Sequence, residues 1–249
     1  MHISIAFLFL GTNKLKWKTI ESAKGRTVYH IEKIDNFQGL PAPLLRFRSQ
    51  LKGPCIGEGF ANFVTNLDYR KRWDMQIDNV YEAYPIHDLE AVNMAMGFQY
   101  GSCAKLGVGH CLTKPNLGID AREQLTMAGM NEFHEESNGS CLIWGTEMEE
   151  WHNHLFPPGQ RRTRAKSHLF ATTLVPTGPE SFDVEYVLQL EIGGNIPTWL
   201  TTPVVVDNVK KLFSCAKDFY QNKEGELDMF LAEKAKQKDL TGYSLLMTP

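Results

Sequence analysis

The sequence lacks the features that would place it among several large classes of protein. A membrane-spanning helix takes roughly 20 consecutive apolar residues, and the apolar run Ile3-Ser4-Ile5-Ala6-Phe7-Leu8-Phe9-Leu10 is far shorter. It has neither a basic leader before it nor a small-residue cleavage site behind it, so it is expected as a buried first strand or helix rather than a secretion signal. Positive charge is not in excess: 26 Lys and Arg face 29 Asp and Glu, a net charge of −3. No global field is then available to hold nucleic acid, and contact with a membrane has to be local and transient. Cysteine is sparse, with five residues, widely spread and without a Cys-x-x-Cys pair. This excludes a disulfide scaffold and a thiolate zinc site, and it points to free thiols in a reducing, cytoplasmic compartment. Gly57 and Gly59 do not have the spacing of a phosphate-binding fingerprint. His152-Asn153-His154 stands beside a Pro-Pro turn with no further ligand at metal-binding spacing, so neither metal nor cofactor is expected. No recognisable triad or acid pair marks an enzyme, and there is no internal repeat.

What remains is a chain of 249 residues, 43% hydrophobic and 22% charged, enough for one large domain with a filled core or an enclosed cavity. Residues 1–222 are expected to form that domain, and 223–249 a charged C-terminal extension. Apolar and polar residues alternate from Lys16 to Glu32 around a turn-like Ser22-Ala23-Lys24-Gly25-Arg26, a hairpin pattern, and again from Leu44 to Leu51. Phe60, Phe63, Val64 and Leu67 fall at helical spacing, and Val80 to Ile86 returns to strand character. The glycine-rich stretch from Asn93 to His110 fits neither period.

Four strands follow: Arg122 to Glu132, Cys141 to Glu150, Lys166 to Val175 and Phe182 to Ile192, joined by connections short enough for an antiparallel meander. The last alternates cleanly, with Val184, Tyr186, Leu188 and Leu190 on an expected dry face and Asp183, Glu185, Gln189 and Glu191 on a wet one. Gly193-Gly194-Asn195 ends it. Pro197 suits the first turn of a helix, and an apolar stripe from Leu200 through Val204, Val205, Asn208, Val209, Leu212, Phe213 and Ala216 to Tyr220 predicts a long amphipathic helix. The basic run Arg161-Arg162-Thr163-Arg164 reads as a solvated turn.

The sequence Asp68-Tyr69-Arg70-Lys71-Arg72-Trp73-Asp74, the pair Arg122-Glu123 opening a strand, the Pro157-Pro158-Gly159 turn leading to Arg164, and Gly193-Gly194-Asn195-Ile196-Pro197-Thr198-Trp199-Leu200 occur in one order. In that order the sequence resembles the START family, the lipid-transfer domains related to steroidogenic acute regulatory protein. The resemblance implies an α+β helix-grip fold: a curved antiparallel β-sheet wrapped around a long C-terminal α-helix with an internal hydrophobic tunnel for one lipid. Within the family the motifs look most like the phosphatidylcholine transfer proteins, which implies that Arg70 meets a lipid phosphate. By register, the positions of the aromatic choline cage are here Cys111, Thr113, Gln124 and His168, and the positions of an assisting tyrosine and glutamine are Val64 and Phe170. A quaternary ammonium is held by ring faces, so this set argues against choline.

The expected lipid-contacting residues are therefore Arg70, Cys111, Thr113, Gln124, Thr126, His168, Phe170, Tyr186, Leu188, Trp199, Leu200, Val204 and Phe213. For Gln124, Thr126 and His168 the alternative is that they pair with one another, with backbone or with water. The function expected is non-enzymatic: a monomer that binds one lipid, phospholipid in preference to sterol or another isoprenoid, and moves it between membranes. The loop Lys114 to Ala121 and the C-terminal helix would act as the gate. A lipid-sensing interaction module and a helix-grip cyclase or hydrolase are the alternatives.

Overall fold

The computed structural model describes residues 15–23, 28–52, 64–85, 88–90, 94, 102–132, 140–148, 162–222, 229–230 and 232–233. The apolar run at 3–10, Phe60 and Phe63, and the segment with His152, His154 and Pro157 lie outside them. Strands β1 (Lys18–Ala23), β2 (Tyr29–Ile34) and β3 (Leu44–Lys52) open the fold, followed by a short helix α1 (Leu67–Trp73). Then come β4 (Ile77–Pro85), β5 (Ser102–Thr113), β6 (Arg122–Glu132), β7 (Cys141–Glu147), β8 (Thr163–Arg164), β9 (Lys166–Gly178), β10 (Ser181–Glu191) and the helix α2 (Thr198–Asn222). Among the described residues these strands form one sheet in the order β1-β2-β3-β10-β9-β7-β6-β5-β4, with β8 paired to β6.

The expected hairpin, the four late strands and the 25-residue final helix are all present. The four late strands pair consecutively as the expected antiparallel meander, β6-β7-β9-β10. Two features of the topology were not expected. Over Ser181 to Gln189, β10 pairs with the whole of β3, joining the first strands to the last. Arg122 and Glu123 also pair in parallel with Thr163 and Arg164, where a solvated turn was expected.

A third departure concerns the wet face of β10. Val184 and Leu188 are buried on the side that meets α2, as expected, in a core with Phe47, Val205, Val209 and Phe213. Gln189, however, is fully buried on the opposite side, where its Nε2 donates to the carbonyls of Phe37 and Ala42 at 3.1 and 3.0 Å. A second apolar cluster covers that side: Leu44, Leu142, Trp144, Leu169 and Val187, with Trp17 and Phe37 packed against them. Both faces of the central strands are therefore dry. An alternating strand pattern cannot foresee that, because the cover comes from segments distant in sequence.

Strand β5 falls on the stretch that fitted neither period. Its Gly107 lies beneath the side chain of Glu82, which occupies the space a Cβ would take, whereas a Cβ on Gly109 would only touch Leu67 of α1, at 3.6 Å. Glycine at both positions erases the alternation that would have announced a strand.

Candidate functional site

The site grows from α1. Asn66 caps the helix, its Oδ1 accepting the Tyr69 N–H at 2.9 Å. Acidic Asp68 stands in the first turn and Arg70, Lys71 and Arg72 in the last, the arrangement that a helix dipole favours. Tyr69 and Trp73 are buried in the core. Arg70 and Asp74 occupy a neighbouring face: Nε and Nη2 of Arg70 donate to Oδ2 of Asp74 at 3.0 and 2.9 Å. Asp74 is 2% exposed, and its Oδ1 also accepts the Gln76 N–H at 3.1 Å, so the carboxylate fixes both the guanidinium and the turn into β4.

Arg70 keeps 30% of its side chain accessible. Burial works against its charge, but Asp74 more than offsets this and holds the guanidinium above its ordinary pKa. Cys111 on β5 and Tyr186 on β10 sense the charges of Arg70 and Asp74. Burial is the largest influence on both: it pushes the Cys111 thiol up to about 11 and the Tyr186 hydroxyl up to about 12, against the pull of Arg70. Both residues are only half-buried by surface. Arg70, Cys111 and Tyr186 are therefore near neighbours, close enough to feel one another's charge.

Two hollows lie between α2 and the sheet. One, of about 10 Å³, is lined by Ile31, Phe47, Tyr186, Leu188, Val206 and Val209, and holds at most about one water molecule. Beside it Phe213 stacks on Phe47 with centroids 4.3 Å apart and meets Tyr186 edge-on at 5.5 Å, which fills that part of the interior with rings. The second, of about 40 Å³, is lined by residues including Thr113, Asn116, Gln124, Leu190, Val204 and Asn208. It lies beneath the connection between β5 and β6.

That connection is latched to α2. Asn116 donates from Nδ2 to Oδ1 of Asn208 at 2.5 Å, and Gln76 donates to the Asn208 carbonyl at 2.9 Å. At its tip Leu117 and Gly118 form a two-residue turn closed by reciprocal Asn116–Ile119 backbone bonds of 3.0 and 2.9 Å. Leu117 has φ +48° and is 65% exposed, a left-handed conformation that leucine adopts at a cost of about 1 kcal/mol or more. At its base Arg122 donates to the carbonyls of Ile192 and Asp120 at 2.8 and 2.9 Å. Gly193 and Gly194 take φ +73° and +82°, and a Cβ on Gly193 would stand 2.8 Å from Cγ2 of Thr163. The Arg122-Glu123 and Gly-Gly motifs thus build the junction of the loop, β8 and α2.

Of the expected residues, Arg70, Cys111 and Tyr186 lie close enough to interact electrostatically. Thr113, Gln124 and Val204 line the second hollow, while Leu188 and Phe213 pack around the first. Phe170 packs against the same core, its ring lying over Gly145, and Thr126 is buried on β6 two residues beyond Gln124. His168 is held between carboxylates, with Nδ1 2.7 Å from Glu147 and Nε2 2.9 Å from Glu191, partners that the sequence reading did not include. Its hydrogen bond to Glu147 raises its pKa against burial, and Glu191 adds to the rise.

Trp199 and Leu200 differ from expectation, being 72% and 44% exposed at the start of α2 rather than turned to the sheet. The first turn is also weakly tied to the rest of the helix, because Pro203 has no N–H to donate to the Trp199 carbonyl. Asn116 and Gln76 were not anticipated as latch residues; Asn208 was visible in the sequence as a polar break in the apolar stripe of α2.

No protein-family profile matches this sequence, and no curated protein matches it. Solved structures do. Human StAR-related lipid transfer protein 5 superposes with a TM-score of 0.69 at 15% identity, over 86% of this chain and 91% of that one. The fold is that of the StAR-related lipid transfer domains. Human STARD10 gives a TM-score of 0.63 at 16% identity, over 86% of this chain and 78% of that one. The human StarD13 (DLC2) lipid transfer and protein localization domain gives 0.60 at 13%, over 89% and 98%. The helix-grip architecture, a curved antiparallel sheet closed by its C-terminal helix, is therefore shared. No helix among the described residues is long and apolar enough to cross a membrane.

Proposed function

We propose that this chain belongs to the START family and binds a single lipid, phospholipid in preference, between the concave sheet and α2, carrying it between membranes as a cytoplasmic monomer. The observation that carries the reading is the Arg70–Asp74 pair. Among the described residues, Nε and Nη2 of Arg70 are engaged by Asp74 while Nη1 meets no partner, which leaves a partly accessible donor edge for a phosphate oxygen. Cys111, Gln124 and Thr113 offer hydrogen bonds but no ring face, so the proposed headgroup is not choline. Removing lipid tails from water contributes about 0.8 kcal/mol per methylene, enough for an enclosed site to compete with a bilayer.

The two hollows in this closed arrangement are smaller than a lipid, so loading requires α2 and the loop 114–121 to part. The Asn116–Asn208 latch is the contact that breaks, and the first turn of α2 before Pro203 is the part of the lid held most loosely. Exposed Leu117, Trp199 and Leu200 provide apolar groups for transient contact with a membrane interface. A hydrolase or cyclase is less well supported. The Cys111 thiol, at about 11, is shifted away from the thiolate a nucleophile needs, and His168 sits between two carboxylates with Nδ1 hydrogen-bonded to Glu147.

The test is transfer of a fluorescent phospholipid from donor to acceptor vesicles. Wild-type protein should accelerate it, and Arg70→Ala should lose most of the acceleration while keeping a cooperative melt. Chemical conversion of the lipid without transfer would replace the carrier reading with an enzymatic one.

A further inference from the structure

Beyond α2, the described residue Phe230 packs into the domain. Phe230 is 7% exposed, although Met229, Ala232 and Glu233 around it are exposed. Its ring lies 5.1 Å from that of Tyr69, and the Arg72 guanidinium sits over it at 4.6 Å. Both partners belong to α1, the helix that carries Arg70. We infer that residues 229–230 and 232–233 belong to a strap whose anchor, Phe230, holds α1 in place and thereby positions Arg70, setting how long a ligand is retained.

A helix of seven residues is far below the length at which helices hold together alone, so the position of α1 is set by its packing. On one side Asp74 and Gln76 tie its C-terminal end to the turn into β4 and to the Asn208 carbonyl of α2. On another, Tyr69 and Arg72 meet Phe230. Arg70 lies between Tyr69 and Arg72 in sequence and projects from a neighbouring face, toward Asp74. An aromatic anchor between a ring and a guanidinium gains from apolar burial and from cation–π attraction together. Its removal takes away these contacts of Tyr69 and Arg72 while leaving the ties through Asp74 and Gln76 and those of the loop 114–121 in place.

The link to retention rests on Arg70 being the ligand's polar contact; the link to α1 does not. The experiment uses the full chain carrying Phe230→Ala or Phe230→Leu. Hydrogen exchange is followed at the amides of Arg70 and Asp74, which bond to the carbonyls of Asn66 and Arg70, and at amides of β9 and β10. Phe230→Ala should speed exchange in α1 by about tenfold or more, with β9 and β10 unchanged, the signature of local rather than global opening. Phe230→Leu, which keeps the apolar fill, should stay near wild type. Pyrene-labelled phosphatidylglycerol should leave the Phe230→Ala protein several times faster than wild type. Unchanged α1 exchange, or equal loss of protection in α1 and the sheet, would overturn the strap. Faster α1 exchange with unchanged probe release would overturn its role in retention. If Arg70→Ala also releases the probe at the wild-type rate, the fault lies with Arg70 as the ligand contact.

Discussion

Asn116 and Asn208, 92 residues apart, meet side chain to side chain at 2.5 Å, the shortest of three hydrogen bonds, with those to Asp207 and Lys211 at 3.4 Å, that join the loop over the second hollow to the lid helix. Asn208 also receives Gln76 through its backbone carbonyl, so the turn into β4, the loop and α2 converge on one residue. Asn208→Ala removes the side-chain bond and keeps the carbonyl. A hydrogen bond of this kind contributes about 0.5–1.5 kcal/mol net. The expected outcome is a small fall in melting temperature together with faster lipid exchange in a vesicle assay; slower exchange would show that the contact is not the one that breaks on opening.

Asp74 is the buried counter-charge of Arg70. Asp74→Asn retains hydrogen-bonding atoms but withdraws the charge, and is expected to destabilise the protein by about 1–3 kcal/mol in urea unfolding. Arg70 is then free of its internal partner, so binding of an anionic phospholipid should tighten. Weaker binding together with the stability loss would place Asp74, rather than the ligand phosphate, as the only partner Arg70 serves.

Sequence patterning reached some of this arrangement and not the rest, for physical reasons that differ by residue. The apolar stripe of α2 and the alternation of β10 were legible because each buries one face against the other. Strand β5 was not, since Gly107 makes room for Glu82 and neither Gly107 nor Gly109 carries a side chain to mark the alternation. Gln189 was assigned to water because its burial depends on Phe37 and Ala42, residues more than 140 positions away. The motif around Arg70 was visible, but its pairing with Asp74 and its setting beside Cys111 and Tyr186 required the long-range closure of the sheet. Trp199, apolar and at the head of an amphipathic helix, pointed to the interior in sequence and to solvent in space.

His168 lies 7% exposed between Glu147 and Glu191, and its pKa is raised in the folded state. A histidine raised on folding binds its proton more tightly in the native protein. Its stabilising contribution is complete below the unfolded value of about 6.5 and is lost as pH rises through the higher folded value. Stability measured by urea titration should therefore decline above about pH 6.5, and His168→Gln should flatten that decline. An identical pH profile in the variant would remove the histidine from it.

Gly145 has no room for a side chain: a Cβ there would run into the Phe170 ring and stand 2.9 Å from the Met127 carbonyl oxygen. Gly145→Ala should cost about 1–3 kcal/mol through displacement of Phe170, read as a lowered melting temperature. Phe170→Leu in the same chain should recover part of the loss; no recovery would mean that the backbone contact, not the ring, sets the cost.

The central claim is that the concave face of this sheet, closed by α2, encloses one lipid whose polar end meets Arg70. Native mass spectrometry of the full chain, incubated with mixed phospholipid vesicles and separated from them, tests it most directly. The expected spectrum shows a protein species heavier by the mass of a single phospholipid, depleted in Arg70→Ala. Protein without bound lipid at every vesicle concentration, or equal lipid occupancy in wild type and Arg70→Ala, would contradict it.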